Sequence, residues 1–259
     1  MKTFEFDGEK YRKASALQKE WGTKIISELN FTGSETILDL GCGDGILTEK
    51  LAQLVPKGKV IGIDASQGMI KIAKELKRNN LIFKVMNINK INFKNEFDLI
   101  FSNSTLHWIK DHEKLITNCF EALKPNGMIR FNFAGKGNIS HFSKVIREVM
   151  GYLKYKKYFI NYEWPWYIPN KNEYKNLINR FNFREVKIWE ENADRCYPDF
   201  DEIIKWIDQP VIVPFLICVD EKDKKEFRDT VVKKMNEETS QKDGTYFETF
   251  RRIHVFARK

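Results

Sequence analysis

The chain is poor in cysteine. Cys42, Cys119, Cys196 and Cys218 are its only thiols, widely spaced, and no two form a C-x-x-C pair. That scatter argues against a disulfide framework and against a zinc site, so reduced thiols and no metal are expected. Long apolar runs are missing as well. Charged residues interrupt every stretch before it reaches the roughly 20 residues that a membrane-spanning helix needs, so no membrane partner is expected. The opening MKTFEFDGEKYRK has no continuous apolar segment of the kind a secretory signal carries, and a cytoplasmic protein is the expectation. There is no internal repeat, no low-complexity tail, and no zinc-finger or RNA-binding motif.

What is present is an ordinary globular composition. Of 259 residues, 42% are hydrophobic and 31% charged, enough to bury a full core without staples. The net charge of +8 fits a nucleic acid, an anionic substrate or a general lysine bias. In EKDKKEF (221–227) the lysines stand beside acids, as on a solvated helix face. Nucleic acid is therefore not the expected partner.

Hydrophobic periodicity gives the organisation. Residues 11–29 carry apolar positions Ala14, Leu17, Trp21, Ile25 and Leu29 at helical spacing. Short apolar runs follow at 36–40, 59–64, 81–87, 97–103 and 128–133. Helical stretches at 46–55, 66–79 and 111–124 separate them. Strand and helix alternate, which predicts βαβ units and a mostly parallel sheet with helices on both faces. PNG (125–127) supplies a turn into the strand at Met128. Beyond residue 134 the rhythm changes. HFSKVIREVMGYL reads as a helix, and YFINYEWPWYIPN (158–170) is aromatic and contains proline. A helix over 173–181, a strand over 184–191, helices at DFDEIIKWI and from Asp220 to Thr239, and a final strand over 245–259 complete the prediction. A single domain over 1–259 is expected, with a ligand-binding core at 30–135 and an inserted cap at 136–245.

The chemistry is concentrated in ILDLGCGDG (37–45). A buried strand runs into an acid and then into Gly41, Gly43 and Gly45. Glycines there permit positive φ and close approach of a ligand, and the following helix offers free N–H groups. A tight turn without a ligand gives the same pattern. The next strand ends in Asp64, nineteen residues past Gly45. An acid at that place accepts hydrogen bonds from both ribose hydroxyls of a nucleoside, or it caps the next helix, although Ser66 is available for capping. A dinucleotide fingerprint reads G-x-G-x-x-G, whereas here the third glycine comes one residue early. Asp39 also precedes the loop, where it repels a pyrophosphate. An adenosine ligand with a positive centre and an amino group fits better, as in S-adenosylmethionine.

The chain resembles the class I S-adenosylmethionine-dependent methyltransferases. ILDLGCGDG is similar to their first motif, VIGIDAS to the second, FDLIFSNSTLHWI to the segment around the fourth strand, and ALKPNGMIRF to the loop before the fifth. The resemblance implies a Rossmann-like α/β fold with a mostly parallel seven-stranded sheet and a helical, aromatic insertion after strand five. It places Asp39, Gly41, Cys42 and Gly43 along the methionine part of the cofactor and Asp64 on the ribose. Ala65, Met69, Asn87 and Ile88 fall near the adenine, Ser102 and Asn103 beside the sulfonium, and Gln18 toward the carboxylate.

SNSTLHWIKDHEKL, together with DEIIKWIDQPVIVPFL and FETFRRIHVFARK, resembles methyltransferases of small acids: the trans-aconitate, juvenile hormone acid and malonyl-carrier-protein enzymes. Carboxyl O-methylation of a small organic acid is the implied reaction. A carboxylate is already ionised at neutral pH and needs alignment and a dry site more than a base. An amine or phenol acceptor would need a proton removed, and His107 is the candidate for that role, or a structural histidine. Trp108 either walls the acceptor pocket or packs in the core. Arg147, Arg195, Arg251, Arg252 and Tyr246 are candidates for holding the acid. Trp164, Trp166 and Tyr167 form either a lid or the core of the insertion. Two other readings stay open: methylation of another small molecule, nucleic acid or protein, and a cofactor-binding protein without turnover. SNST in place of an N-P-P-Y-like tetrapeptide speaks against methylation of base amino groups.

Overall fold

A computed structural model describes residues 15–259. The chain divides into two compact units. The first takes residues up to Gly135 with Trp166–Glu191 and Arg252–Lys259; the second takes Lys136–Pro165 and Asn192–Arg251.

The first unit is an α/β sandwich. Its elements are α1 (Ala16–Ser27), β1 (Thr36–Leu40), α2 (Ile46–Leu54), β2 (Lys59–Asp64), α3 (Gln67–Ala73), β3 (Leu81–Val85), β4 (Phe97–Asn103), α4 (His112–Ala122) and β5 (Leu123–Ala134). After the insertion come α6 (Lys171–Ile178), β6 (Glu185–Asn192) and β9 (Arg251–Arg258). The seven strands stand in the order β3-β2-β1-β4-β5-β9-β6. β3, β2, β1, β4 and β5 are parallel, and β9 runs antiparallel to β5. Successive residues of the central strands bury opposite faces, which is why they read as unbroken apolar runs. Leu38, Leu40, Ile61, Ile63 and Ile100 pack with Leu115 and Ile116 of α4 and Tyr174 of α6. Ile37, Val60, Leu99 and Phe101 pack with Ile25 and Ile26 of α1 and Leu51 of α2. The direction of crossover reverses between β1 and β4, so a crevice opens beyond their carboxyl ends.

β1, β2 and β4 occupy the expected residues. Residues 11–14 of the expected first helix lie outside the described residues. The helix expected over 66–79 ends at Ala73 and gives way to 3₁₀-type bonds from Glu75 and Leu76, because KELKRNN carries one apolar residue to hold it down. β5 begins early: Leu123 pairs with Phe97 and Met128 with Leu99, and the PNG turn between them is a bulge with Asn126 at φ +68°.

The second unit holds α5 (Ser140–Met150), β7 (Arg195–Tyr197), α7 (Phe200–Trp206), α8 (Val213–Leu216), α9 (Glu221–Thr239) and β8 (Tyr246–Glu248). α5 packs along α9 through the buried Phe142, Val145, Ile146 and Val149 and Phe227, Val231 and Met235. The expected final strand is two strands. β8 leaves the main sheet to pair with β7, which the polar run ADRCYP concealed. The break falls where Glu248, fully buried, turns its carboxylate onto the N–H groups of Thr249, His141 and Phe142. The aromatic segment divides between the units. Phe159 packs on Phe227, and Tyr162 and Trp164 on Phe215, as core of the second unit. Trp166 meets Trp108 and Tyr167 meets His112 in the first.

Candidate active site

The glycines after β1 have three different jobs. Gly41, at φ +74°, lies against Thr105; a Cβ there would come within 2.1 Å of its Cγ2. Gly45, at φ +82°, makes room for Phe83, 2.7 Å from the place of a Cβ. Gly43, at φ +54°, has no protein atom within 4 Å of where a Cβ would stand. Two glycines thus serve packing, and Gly43 faces open space. Ile63 O accepts the N–H groups of Gly41 and Cys42, at 2.8 and 3.0 Å, and clips the loop to the end of β2.

Asp64 orders the same loop. Its Oδ2 accepts the Gly43 N–H at 3.0 Å and its Oδ1 the Ser66 N–H at 2.9 Å. Helix α3 is capped by Ser66, whose Oγ accepts from Met69 N, so the capping alternative for Asp64 falls away. Asp39 is buried and accepts from Thr48 Oγ1 at 2.7 Å. Burial, and the charge of Asp64, push its pKa up to about 7 against the hydrogen bond from Thr48. Cys42 is buried, and burial with the neighbouring acids keeps it a thiol. Lys19 of α1 pairs with Asp44 at 2.8 Å.

The end of β4 carries the remaining groups. Ser102 Oγ donates to Leu40 O at 2.8 Å, which ties β4 to β1 and occupies that hydroxyl. Asn103 Nδ2 donates to the backbone O of Gln18 at 2.8 Å. Asn103 Oδ1 and Gln18 Oε1 are buried acceptors with no hydrogen-bond partner among the described residues. Buried polar atoms are ordinarily paired, so two such acceptors on residues joined by a hydrogen bond suit a donor-bearing ligand. Thr105 Oγ1 donates to Gly41 O at 3.1 Å. His107 Nδ1 is likewise buried without a partner among the described residues. Desolvation, Arg252 and His112 hold its pKa down at about 3, so its ring is neutral. Near it, Arg252 is buried, donates to Asn132 Oδ1 from Nε at 3.0 Å and to Ser104 Oγ from Nη2 at 2.8 Å, and stacks over Trp21.

A model of the methyltransferase domain matches residues 32–182. The chain belongs to the methyltransferase domain family. It is 27% identical over 256 residues to an uncharacterized methyltransferase of Schizosaccharomyces pombe, with 96% of each chain covered. It is 28% identical over 224 residues to the juvenile hormone acid O-methyltransferase of Bombyx mori, covering 81% of this chain and 80% of that one. In fold it is similar to phosphoethanolamine N-methyltransferase 2 of Haemonchus contortus in complex with S-adenosyl-L-methionine, with TM-score 0.61 and 20% identity over 97% of this chain and 56% of that one. The protein is a class I S-adenosylmethionine-dependent methyltransferase with a Rossmann-like fold.

Of the residues expected at the cofactor of this methyltransferase, Gly43 is bonded to Asp64 and Gln18 to Asn103, Gly41 and Cys42 share Ile63 O, and Asp39 and Ser102 stand near the ends of β1 and β4 on Thr48 and Leu40 O. Ala65 follows β2 directly, and Met69 is buried in the first turn of α3. Asn87 Oδ1 accepts from Asn89 N and caps a short 3₁₀ turn, and Ile88 is buried in the core. Trp108 packs edge-on to Trp166 at 5.7 Å. The expected acid-binding residues outside this unit have other engagements. Arg147 lies over the Trp164 ring at 3.8 Å, Arg251 is paired with Asp194, and Tyr246 packs on Phe200. Arg195 stands opposite Glu248 in the β7–β8 ladder. Sequence reasoning passed over Thr105, Thr48, Lys19 and Ser104. Ser104 has the one trace that pattern reading allows, a polar residue after a strand, which here takes φ +58°.

Proposed function

We propose that this methyltransferase transfers a methyl group to a carboxylate oxygen of a small organic acid. One observation carries the reading: beside the end of β4 stand a buried guanidinium, Arg252, and a histidine, His107, whose pKa lies at about 3. His107 is a poor proton acceptor, and Arg252 favours an anion. That pairing suits an acceptor that arrives ionised and needs orientation rather than a base. The relative named for juvenile hormone acid supports it.

In this reading Gly43 gives room to the methionine part of S-adenosylmethionine. Gln18 Oε1 and Asn103 Oδ1 accept from its ammonium, Asp64 accepts from the ribose hydroxyls, and Met69 and Ile88 bound the adenine. Bound there, S-adenosylmethionine supplies an electrophilic methyl group. Arg252 orients the acid, and Trp108 and Trp166 keep water from the approach. The test is transfer of labelled methyl from S-adenosylmethionine to a panel of acids, from citrate-cycle acids and trans-aconitate to fatty and terpenoid acids. The expected product is a methyl ester, cleaved by mild alkali. Label that enters RNA or protein, or that survives alkali as an amine or aryl ether, overturns the carboxylate reading.

A further inference from the structure

The positive surplus is not spread evenly over the chain. Between Lys71 and Lys94 stand six lysines and Arg78 against one acid, Glu75. The segment runs from the end of α3 through a turn into β3, the edge strand of the main sheet, and on past it. The turn is pinned. Asn80 Nδ2 donates to Ala52 O and to Val55 O, each at 2.9 Å, at the end of α2. Asn80 O accepts from Val60 N at 2.8 Å, and Leu81 N donates to Arg78 O at 3.2 Å. Arg78 Nε donates to Glu49 Oε1 at 3.1 Å, which fixes the guanidinium and offsets part of its charge.

A cavity of about 290 Å³ opens at this turn, a volume at the small end for ligand sites. Lys74, Lys77, Arg78 and Asn79 give its polar wall, and Leu76, Leu81 and Phe83 its apolar one. The apolar wall has a firm backing. Phe83 packs with Cys42, Ile70 and Ala73. It fills the room left by Gly45 and Gly62, 2.7 and 2.8 Å from the places of their Cβ atoms. A lysine at the end of a helix favours the helix dipole, which accounts for Lys74, the residue that closes α3. It does not account for Lys77 and Arg78 further on, nor for the apolar wall that shares the cavity with them. Ammonium and guanidinium groups together suit a phosphate. Leucine and phenylalanine add nothing for a bare phosphate; they favour a flat apolar group carried with it.

We propose that this cavity is a second ligand site, for a small phosphorylated compound with a ring, the chemistry of a nucleoside monophosphate. The site shares no residue with those assigned to S-adenosylmethionine, and it stands whatever the methyl acceptor is.

The test uses the whole chain saturated with S-adenosylhomocysteine, so that the cofactor site is filled. Uridine and guanosine monophosphates, uridine and inorganic phosphate are titrated by calorimetry, and backbone amide shifts are followed by NMR. At least one nucleotide should bind about tenfold or more tighter than uridine and than phosphate. It should move the amides of Leu76, Asn79 and Leu81 and leave that of Gly43 in place. Lys74→Gln combined with Lys77→Gln should weaken the nucleotide about tenfold or more and leave the affinity for S-adenosylhomocysteine unchanged. Leu76→Ala, at a half-buried position, should weaken the nucleotide several-fold and leave phosphate as it was, which separates the ring from the charge. Nucleotide bound no tighter than phosphate reduces the cavity to a charged surface and overturns the site. Absence of nucleotide binding, or shifts confined to other residues, does the same. An octauridylate bound about tenfold or more tighter than the mononucleotide, with affinity falling steeply with salt, would mark the lysines as a track for RNA and also overturn a small-molecule site.

Discussion

Gly41 and Gly43 both sit at positive φ, yet their surroundings differ. A Cβ at Gly41 runs into Thr105, whereas one at Gly43 meets no protein atom within 4 Å. Alanine at either costs about 1–2 kcal/mol of left-handed backbone strain. Gly41→Ala adds about 1–3 kcal/mol from overpacking against a short, stiff side chain. Thermal melts should therefore show Gly41→Ala as the more damaged fold. Calorimetry should show Gly43→Ala folded but at least about tenfold weaker for S-adenosylmethionine. Equal affinity in a folded Gly43→Ala would place the ligand elsewhere. Asp39 supplies a second test. Its native pKa of about 7 is above the ordinary 3.8, chiefly through burial, so the native state holds this proton more tightly than the unfolded chain. The contribution to stability is fully present below pH 3.8 and is lost as pH rises through about 7. Asp39→Asn, which still accepts from Thr48, should raise the Tm of the cofactor-free protein at pH 8 and change it little at pH 4. A Tm unchanged at pH 8 would mean the carboxylate is solvated. The sequence showed that Asp39, Gly43 and Asp64 belong together, because motif and spacing carry that. It did not show Thr105 or Thr48, whose partners lie 64 and 9 residues away and have no local pattern.

At the scale of elements, Glu248 explains both a misread strand and a helix start. TYFETFRRIHVFARK alternates like one strand, but the Glu248 carboxylate takes the N–H groups at the head of α5, where anions are favoured, and the strand breaks there. Removing it with Glu248→Ala should cost about 1–3 kcal/mol, as for buried donors that lose a charged acceptor. Glu248→Gln separates shape from charge. His141 has its pKa raised by its hydrogen bond to Glu248, against partial desolvation. Its contribution is therefore fully present below the ordinary value of 6.5 and is lost as pH rises through the higher native value. Denaturant melts of Glu248→Gln should show a larger loss at pH 5.5 than at pH 9. An equal loss at both would reduce the pair to a neutral hydrogen bond. β1, β2 and β4 were legible to the residue because burial on both faces makes them nearly continuous apolar runs. β7 was not, since its three residues Arg195, Cys196 and Tyr197 owe their conformation to pairing with β8, far along the chain.

For the whole molecule the open quantity is the charge of +8. Composition alone left it divided between nucleic acid, an anionic substrate and a general lysine bias, and the described fold adds one local feature, a buried guanidinium bonded to Ser104 just past β4. The two partners differ in how they respond to salt. If the acceptor is an acid held by Arg252, a tricarboxylate should be drawn by the field of the whole surface as well as by that guanidinium, and the field is screened beyond about 10 Å at 0.1 M salt. A monocarboxylate feels mostly the local guanidinium, inside the screening length. Raising salt from about 0.02 M to about 0.5 M should therefore lower kcat/KM for a tricarboxylate several-fold, and for a monocarboxylate much less. Affinity for S-adenosylmethionine, itself carrying a net positive charge, should not weaken. Equal salt dependence for both acids would show that the surplus lysines are solvated faces without effect on the acceptor. An RNA bound at 0.15 M salt, with affinity falling as a steep power of salt concentration, would be the mark of counterion release from many phosphates. That result would return the positive charge to nucleic acid and overturn the small-acid reading at this scale, while leaving the glycine loop and Asp64 to be judged by calorimetry.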